Sequence, residues 1–478
     1  MCSKCHKLGR VTLVLGLDIG STTTKAALVA VSAEVSVVRV ARMSTPTDPA
    51  ELIAVCAAVA RECVTDAREP IAAIGIASMA ESGTALDDDG RPLTPLLRWD
   101  RRIDPGHLDD LLARHPELPS VTGVPATTKP AAVTLRALRA EDPDVFQAMR
   151  HWAGVADLVA HALTGVRATD HTLAARTMMA GTDGDAWDAA VLTSTGIGPG
   201  ILPDVRMPGE PVGPTTADAR VFGLPAGVPV YIAGHDHAVG AWASGVRAPG
   251  AVADSLGTAE AVVRVTDAAA APAAVADGFS VGRTVDGSAR TLLGGSRACG
   301  AMLGWWESEH PADRLLDRLR GLEPDHWVTS GMTVLPYPSG RQCPRPDPTA
   351  GVAVHGEEAD PERRARAVLQ GLVLHARWMR ETIDAHAGSA ATDLTLLGSL
   401  AGRIPSWASL SATAGVPTRR NTCDEPVAAG AALLSAVRAG AASPDLTLER
   451  TDVAPATAPG LDDAYRRFLE TVLTEGER

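Results

Sequence analysis

The sequence is poor in aromatic residues, in excess positive charge and in long apolar runs. Only 3% of its 478 residues are aromatic, so a ring-stacking surface for single-stranded nucleic acid is not expected. The 44 basic and 57 acidic residues give a formal charge of −13, which argues against nucleic acid or an anionic membrane as the main partner. The longest uncharged apolar stretches, Leu52–Ala60 and Val427–Val437, fall short of the roughly 20 residues that span a bilayer.

Cysteine is also scarce. The seven cysteines are odd in number and scattered, which argues against a disulfide framework and favours a reducing cytoplasm. Cys2, Cys5 and His6 match the C-x-x-C-H spacing of haem attachment, but nothing favours export and no second C-x-x-C could complete a zinc site, so we interpret the match as chance or a flexible leader. The apolar run Val11–Leu17 ends at Asp18 without a small-residue cleavage site, which predicts a buried strand rather than a signal peptide.

The remaining composition, 45% hydrophobic and 21% charged, is typical of a packed globular protein. The length predicts two to four domains. Each half begins with a strand, a turn of small residues at Gly20 or Gly257, and a returning strand, Lys25–Val31 or Ala261–Val265. A unit repeated half a chain apart predicts two similar domains that face one another, with a boundary near Val246–Gly250.

Periodicity predicts further alternating strands and helices along the chain. The other predicted strands are Ile71–Ala77, Leu93–Leu97, Val228–Ala233, Ala251–Leu256 and Leu394–Leu397. The predicted helices are Leu52–Cys63, most of 107–165, Ala238–Ser244, Trp407–Ala414, Pro426–Ala439 and Asp462–Thr474. Residues 196–213, 267–277 and the stretch from Ser443 to the last helix are predicted as loops.

The segment Asp18–Thr23 places a carboxylate, a glycine and three hydroxyl residues at the end of a strand. Backbone N–H groups in such a turn can face phosphate oxygens, and Asp18 could hold Mg²⁺. Taken alone, the segment is equally compatible with a hydroxyl-rich hairpin tip. The similar turn at Gly257 and Thr258 favours phosphate binding, because two facing turns would clamp one nucleotide. Neither a P-loop nor a dinucleotide-binding G-x-G-x-x-G is present.

Several segments, in one order along the chain, resemble motifs of the FGGY carbohydrate kinases. They are Asp18–Thr22, Trp99–Arg102 (W-x-D-x-R), Gly234–Asp236, Ser255–Thr258, Leu335–Pro348 (LPYL-GER-P-DP) and Glu425–Ala432 (E-xx-ALGAALLA). The match runs from about residue 13 to 440, and the combination is far more specific than any one of its pieces.

The resemblance implies an α/β fold of two actin-like (RNase H-type) domains with an ATP cleft between them. Residues 11–247 would form an N-terminal sugar-binding domain, 248–440 a C-terminal nucleotide-binding domain, and 441–478 a tail with a terminal helix. The implied activity is transfer of the γ-phosphoryl group of ATP, with Mg²⁺, to a hydroxyl of a small sugar, sugar acid or polyol of the xylulose or gluconate kind. A cytoplasmic location without a membrane partner fits this activity, and a homodimer is compatible with it.

Asp236 matches the catalytic base of the family. A hydroxyl that attacks phosphorus must lose a proton, and a carboxylate at a strand end can accept it. The alternative is that Asp236 only caps the helix Ala238–Ser244, which the local sequence alone slightly favours. His235 and His237 on either side also allow a metal site, although no further His or Cys pattern supports one. The resemblance implies instead that His237 contacts the substrate.

Glu81 and Ser82 follow the strand Ile71–Ala77, where the family places sugar specificity. Glu81 matches a glutamate of glycerol kinases, while Ala80 replaces their arginine, so we expect Glu81 to accept hydrogen bonds from substrate hydroxyls. The alternative is a solvated loop residue. Trp99, Asp100 and Arg102 are expected nearby, and Lys129 lies in a reordered form of a T-x-P-K segment.

The remaining site residues implied by the resemblance fall into three groups. They are Gly20, Ser21, Thr22, Thr23, Gly257 and Thr258 for the ATP phosphates, Gly398 and Ser399 for adenosine, and Asp18 with Asp236 for the metal. Leu400 stands where the family has a glycine, which predicts crowding at the purine. Two other functions stay open: a non-catalytic sugar- or nucleotide-sensing relative, and an ATPase of the actin-like superfamily.

Overall fold

The computed structural model describes residues 11–198, 200–268 and 272–475. The motif of Cys2, Cys5 and His6 and part of the predicted loop 267–277 lie outside them. In the first half, the strands are β1 (Thr12–Ile19), β2 (Thr23–Val31), β3 (Val35–Ser44), β4 (Ile71–Ser78), β5 (Gly83–Leu86), β6 (His151–Gly154), β7 (Ala168–Asp170), β8 (Asp204–Arg206), β9 (Gly213–Pro214) and β10 (Pro229–His235). The helices are α1 (Pro49–Val64), α2 (Gly106–Arg114), α3 (Leu118–Thr122), α4 (Ala131–Glu141), α5 (Pro143–Ala148), α6 (Val155–Thr164), α7 (His171–Ala174), α8 (Ala189–Thr195) and α9 (Asp236–Ala243).

The second half has a similar mixture of elements. Its strands are β11 (Ala251–Leu256), β12 (Glu260–Thr266), β13 (Ser280–Arg283), β14 (Arg290–Ser296), β15 (Thr333–Pro336), β16 (Val352–His355), β17 (Asp393–Leu397), β18 (Thr418–Asn421) and β19 (Arg450–Asp452). Its helices are α10 (Pro272–Ala276), α11 (Gly300–Glu309), α12 (Leu315–Arg320), α13 (Pro361–Ala387), α14 (Ser399–Arg403), α15 (Pro405–Ser411), α16 (Pro426–Arg438) and α17 (Leu461–Glu475). In the part of the chain that the structure describes, no helix is both long and apolar enough to cross a bilayer.

The first large sheet has the strand order β3-β2-β1-β4-β10-β9. The strands β1, β4 and β10 are parallel, and β1 to β3 form an antiparallel meander. Asp18 lies opposite Ala77, and Ser78 lies opposite His235, so the carboxyl ends of the three parallel strands meet at one edge. This edge collects the side chains of the first predicted phosphate turn, the specificity segment and the base.

The second large sheet repeats this arrangement with the order β13-β14-β12-β11-β17-β18-β19. Its first hairpin, β11 with β12, is antiparallel, and β17 runs parallel to β11. The predicted repeat of a strand, a small-residue turn and a returning strand is therefore confirmed in both halves. The loop predicted from Ser443 is partly wrong, because β19 pairs with β18 and extends this sheet.

Three other predictions of elements are corrected by the structure. Leu93–Leu97 is not a strand: Leu97 makes one isolated pairing with Gly83, and Pro92 and Pro95 lack the N–H that a continuous ladder needs. The strand of this region is β5, which pairs with β6. β6 interrupts the predicted helical stretch 107–165, and β8 lies within the predicted loop 196–213.

Helix α16 belongs to the second half of the sequence but packs on the first sheet. At Gly16 and Gly75 a Cβ atom would lie 1.9 Å and 2.0 Å from the carbonyl oxygens of Ala428 and Ala431. Only glycine permits this approach, so small residues on β1 and β4 let the helix lie directly on the sheet. The opposite face of this sheet packs against α1 and α6.

Candidate active site

The centre of the site is a pair of carboxylates at the edge of the first sheet. Asp18 is the penultimate residue of β1, and Asp236 is the first residue of α9, directly after β10. Burial raises the pKa of Asp18 to about 7; the nearby carboxylates of Asp236 and Glu425 add to this rise, and Lys25 opposes it. Two acidic groups thus lie at one edge of the first sheet, on either side of the end of β4.

Asp18 is also part of a chain of charges that reaches α16. Lys25 Nζ lies 3.4 Å from Asp18 Oδ2 and 2.9 Å from Glu425 Oε2, and Arg42 Nη2 lies 3.2 Å from Glu425 Oε1. The second oxygen, Asp18 Oδ1, is buried and has no hydrogen-bond partner among the residues that the structure describes. A buried carboxylate oxygen without a partner fits a divalent cation, since Mg²⁺ prefers oxygen ligands.

Asp236 is partly exposed and is bonded to its two histidine neighbours. Its Oδ1 accepts a hydrogen bond of 2.7 Å from the N–H of His237, and lies 3.1 Å from His235 Nε2 and 3.9 Å from His237 Nε2. The cap interpretation is wrong, because α9 begins at Asp236 itself and its N-cap residue is His235. Burial lowers the pKa of His235 to about 4, so its ring is neutral near pH 7.

The ligand atoms of His235, Asp236 and His237 lie within 4.8 Å of one another. This geometry is compatible with the metal-site alternative. The hydrogen bonds of Asp236 account equally well for the two histidines, which hold the carboxylate in place.

A buried polar network beneath β10 fixes this arrangement. Thr172 Oγ1 donates to Asp170 Oδ1 and accepts a 2.8 Å hydrogen bond from the N–H of His235. His171 Nδ1 lies 3.1 Å from Asp170 Oδ2, and Arg438 of α16 donates to the carbonyl oxygen of Ile232 at 2.7 Å. Sequence reasoning missed these residues, although a run of four polar residues, 169–172, inside an otherwise apolar region was a signal of a buried network.

Glu81 lies beside this edge in an ion pair that the sequence did not predict. Arg176 Nη2 donates to Glu81 Oε1 at 2.6 Å, and the Glu81 side chain is 8% exposed, so the solvated-loop alternative is wrong. Glu81 also has a φ of 62°, a left-handed conformation that is uncommon for a residue with a Cβ. Within the described residues, Arg176 Nε and Nη1 are buried and have no hydrogen-bond partner.

The side chain of Trp99 lies next to the Glu81–Arg176 ion pair and contacts two further cations. The backbone N–H of Trp99 donates to Ser82 Oγ at 3.0 Å, so Ser82 holds the main chain at this tryptophan. Lys129 Nζ lies 5.1 Å and Arg297 Cζ 5.9 Å from the centroid of the Trp99 ring. Lys129 also donates to Gln342 Oε1 at 2.8 Å, a contact between the two halves of the chain.

Two of the residues predicted to bind substrate, Asp100 and Arg102, form no hydrogen bond with the Glu81–Arg176 pair in the described part of the chain. Asp100 accepts two hydrogen bonds from Arg98, at 3.0 and 2.8 Å, and Arg102 is exposed. Their assignment to substrate stays a prediction.

Each of the two predicted phosphate turns is closed by a backbone hydrogen bond from its glycine, across three residues in the first turn and two in the second. The N–H of Gly20 donates to the carbonyl of Thr23 at 3.1 Å, and the N–H of Gly257 donates to that of Ala259 at 3.1 Å. Thr22 and Thr258 are exposed at the two tips, while Ser21 and Thr23 are half-buried. The arrangement leaves hydroxyl groups at the ends of both hairpins.

The predicted adenosine segment lies next to the second turn. Gly398 has a φ of 88°, and a Cβ atom there would lie 2.4 Å from the carbonyl oxygen of Leu256, so glycine is required. Ser399 begins α14. The side chain of Leu400 is buried in the apolar core of the second half, and crowding at the purine stays a prediction.

Comparison with protein families gives two matches in tandem. Residues 13–243 match the N-terminal domain of the FGGY family of carbohydrate kinases, and residues 252–439 match its C-terminal domain. The xylulose kinase of Streptomyces rubiginosus is 30% identical over 366 residues, which cover 73% of this chain and 71% of that protein.

Solved structures give the same result for the fold. The structure of a xyloylose kinase from Brucella ovis superposes with a TM-score of 0.87 and 25% identity, covering 97% of this chain and 99% of that one. A gluconate kinase from Lactobacillus acidophilus has a TM-score of 0.84 at 19% identity, with coverage of 97% and 98%. At that identity the second likeness shows the fold alone.

Proposed function

Since the chain belongs to the FGGY family of carbohydrate kinases and has their two-domain actin-like α/β fold, we propose that Asp236 is the base with which it phosphorylates a sugar, sugar acid or polyol. The observation that carries this proposal is the position of Asp236 at the start of α9, beside Asp18 on the same sheet edge. Xylulose-like and gluconate-like substrates are both compatible with the comparisons.

The proton step requires a carboxylate that is fixed in place and has a free oxygen. Among the described residues, the polar contacts of Asp236 fall on Oδ1, which orients the group and leaves Oδ2 for a substrate hydroxyl. His235 is neutral near pH 7, so it does not form an ion pair that would hold the Asp236 carboxylate away from the substrate hydroxyl. Abstraction of the hydroxyl proton by Asp236 accompanies attack of that oxygen on the γ-phosphorus.

The residues at the sheet edges fit Mg²⁺ and ATP. Asp18, with its unpartnered buried oxygen, and Asp236 would hold the cation. Bound Mg²⁺ neutralises negative charge on the phosphoryl group during transfer. The turns at Gly20–Thr23 and Gly257–Thr258 would hold the phosphates with N–H and hydroxyl groups, and Gly398–Ser399 would lie against adenosine.

Two alternatives are less well supported. A sensing relative would not need both carboxylates, and Asp18 and Asp236 are both in place. An ATPase that drives a partner is less well supported, because both halves of the chain match domains of carbohydrate kinases. Helix α17 is part of the second domain, because Tyr465 and Phe468 are buried in its core.

The test is the substitution Asp236→Asn, which keeps shape and hydrogen bonding but removes proton acceptance. With ADP release measured over pentuloses, hexonates, polyols and cyclitols, we expect kcat for the active substrate to fall about 10²–10⁴-fold. Asp218→Asn, at an exposed position, is the matched control and should retain activity. Near-native kcat in Asp236→Asn would contradict the base, and no stimulation by any compound would favour the sensing relative.

A further inference from the structure

We infer that the substrate carries an anionic group, a carboxylate or a phosphate, which binds Arg176, Lys129 and Arg297 next to Trp99. This inference rests on the proposed function, because it places the anionic end of the substrate relative to the hydroxyl at Asp236. The three cations come from three distant parts of the sequence. No local motif unites them.

Arg176 is the first reason. Its guanidinium has one ionic partner, Glu81, at 2.6 Å, while Nε and Nη1 are buried without an acceptor in the described part of the chain. Buried donors without acceptors are unfavourable, and the planar arrangement of arginine N–H groups matches two oxygens of a carboxylate or phosphate. An anion with two oxygens would satisfy these donors and also compensate the charge of the guanidinium.

Lys129 and Arg297 are the second reason. Burial is the main cause that lowers the pKa of Lys129, and the charges of Arg176 and Arg297 are close enough to lower it further, while Glu81 and Cys343 oppose this. In the ranges 11–198, 200–268 and 272–475, Arg297 forms no ion pair within 4 Å and lies over the ring of Trp99. A cation from each half of the chain thus lies against the ring of Trp99.

The charge balance of this cluster is positive. Arg176, Lys129, Arg297 and Arg98 are the four cations of this region, and Glu81 and Asp100 are its two carboxylates. Asp100 accepts two hydrogen bonds from Arg98 and is also close enough to Arg297 for that charge to lower its pKa. A neutral sugar would leave the excess charge uncompensated in a partly buried site. A carboxylate or phosphate would compensate it and would link both halves of the chain.

The cluster also lies at a suitable place for a substrate that reaches Asp236. Glu81 and Arg176 are near enough to His235 to affect its pKa, and His235 contacts Asp236. A short polyol chain could therefore place a hydroxyl at Asp236 and an anionic group at the cluster.

Binding to the Asp236→Asn protein tests this inference without relying on turnover. Titration calorimetry, with a non-hydrolysable ATP analogue and Mg²⁺ present, would compare a hexonate, the corresponding hexitol and a hexitol phosphate. We expect one of the two anions to bind at least ten-fold more tightly than the hexitol, and the stronger anion identifies carboxylate or phosphate. Equal or tighter binding of the neutral hexitol would overturn the inference.

Variants at Arg297 give a second, independent measurement. Arg297→Gln should weaken the preferred anion about ten-fold or more, as expected for loss of a charge-assisted hydrogen bond, and leave hexitol binding unchanged. Arg297→Lys should restore part of the affinity, and Arg68→Gln, at an exposed position, should change nothing. An unchanged anion affinity in Arg297→Gln would contradict the inference.

The outcomes separate the two proposals. If the protein phosphorylates only neutral sugars, and this activity depends on Asp236, the inference of an anionic substrate is wrong and the proposed kinase function stands. Tight anion binding without any Asp236-dependent phosphorylation would support the anion site and overturn the proposed base.

Discussion

At the scale of single residues, Glu81 combines an unfavourable backbone with a strong ion pair. A left-handed φ in a residue other than glycine costs on the order of 1–3 kcal/mol, so the surrounding contacts must hold it. The bond to Arg176 is the contact that the structure provides. Glu81 therefore supports the shape of the specificity segment as well as its charge.

We predict that Glu81→Gln lowers the free energy of unfolding by about 3 kcal/mol, because it leaves the Arg176 charge without its partner in a largely buried position. Arg176→Gln should have a similar effect. The double variant should lose clearly less than the two single losses together, since the interaction is removed only once. Urea unfolding of the four proteins measures this, and additive losses would show that the pair is not coupled.

The position of the acidic candidate residues at the ends of strands could be predicted from sequence. The residues that pair with the other site residues could not. Asp18 and Asp236 stand in short motifs, so a local pattern identifies them. Arg176 lies 95 residues from Glu81, and Gln342 lies 213 residues from Lys129. Such pairs are created by the packing of distant elements, which no spacing within one segment reveals.

At the scale of elements, the start of α6 contains a buried acid. The N–H of Gly154, the N-cap residue, donates to Asp157 Oδ2 at 2.7 Å. Burial raises the pKa of Asp157 to about 7. Between pH 4 and 7 the folded protein thus holds a proton that the unfolded chain, with an aspartate pKa of about 3.9, has released.

Linkage sets the direction of the effect of pH. Since the folded state binds more protons in this window, the stabilising contribution of Asp157 falls as pH rises from 4 to 7 and is constant above it. The variant Asp157→Asn can still accept the Gly154 hydrogen bond but has no proton to lose. We predict that its free energy of unfolding, relative to that of the unaltered protein, rises by on the order of 2–4 kcal/mol between pH 5 and pH 8. Thermal unfolding at several pH values measures the difference, and a pH-independent difference would contradict it.

The contact between α16 and the first sheet gives another prediction. Gly75→Ala would place a methyl group against the Ala431 carbonyl, so we expect a loss of about 2 kcal/mol or more in the free energy of unfolding. Gly304→Ala, in the interior of α11 with open space around it, is the matched control. The control should be neutral or stabilising by up to ~1 kcal/mol, as expected for alanine in a helix. Chemical unfolding of both variants measures the contrast; equal effects would show that α16 can shift away from β4.

Regular elements with a clear apolar pattern were predicted well, and short strands were not. The hairpins β1–β2 and β11–β12 follow from apolar runs on either side of small residues. β5, β6 and β19 have three or four residues each and are strands only because a partner lies alongside. Their sequences carry too few positions for a period to be recognised.

At the scale of the whole molecule, α9 joins the two halves. It begins at the first sheet with Asp236, and its buried residue Ala241 packs with Ala253 and Leu397 of the second sheet. We propose that the domains meet near Val246–Gly250. There Arg247 donates to the carbonyl of Leu446 at 2.6 Å, which ties the boundary to the C-terminal segment.

We predict that the two domains move closer together when a sugar substrate and a non-hydrolysable ATP analogue are both bound, because water must be kept from the phosphoryl group. Small-angle X-ray scattering should show a smaller radius of gyration than with either ligand alone. An unchanged radius, with binding of both ligands shown by calorimetry, would contradict closure.

The position of α16 on the first sheet has a consequence during synthesis of the chain. The ribosome completes α9 about 180 residues before it reaches α16, which at roughly 5–20 residues per second takes on the order of 10–40 s. For that time α16 does not yet cover the glycine-containing face of β1 and β4. We therefore expect this apolar face of the nascent first half to be open to chaperones until most of the second half has been made.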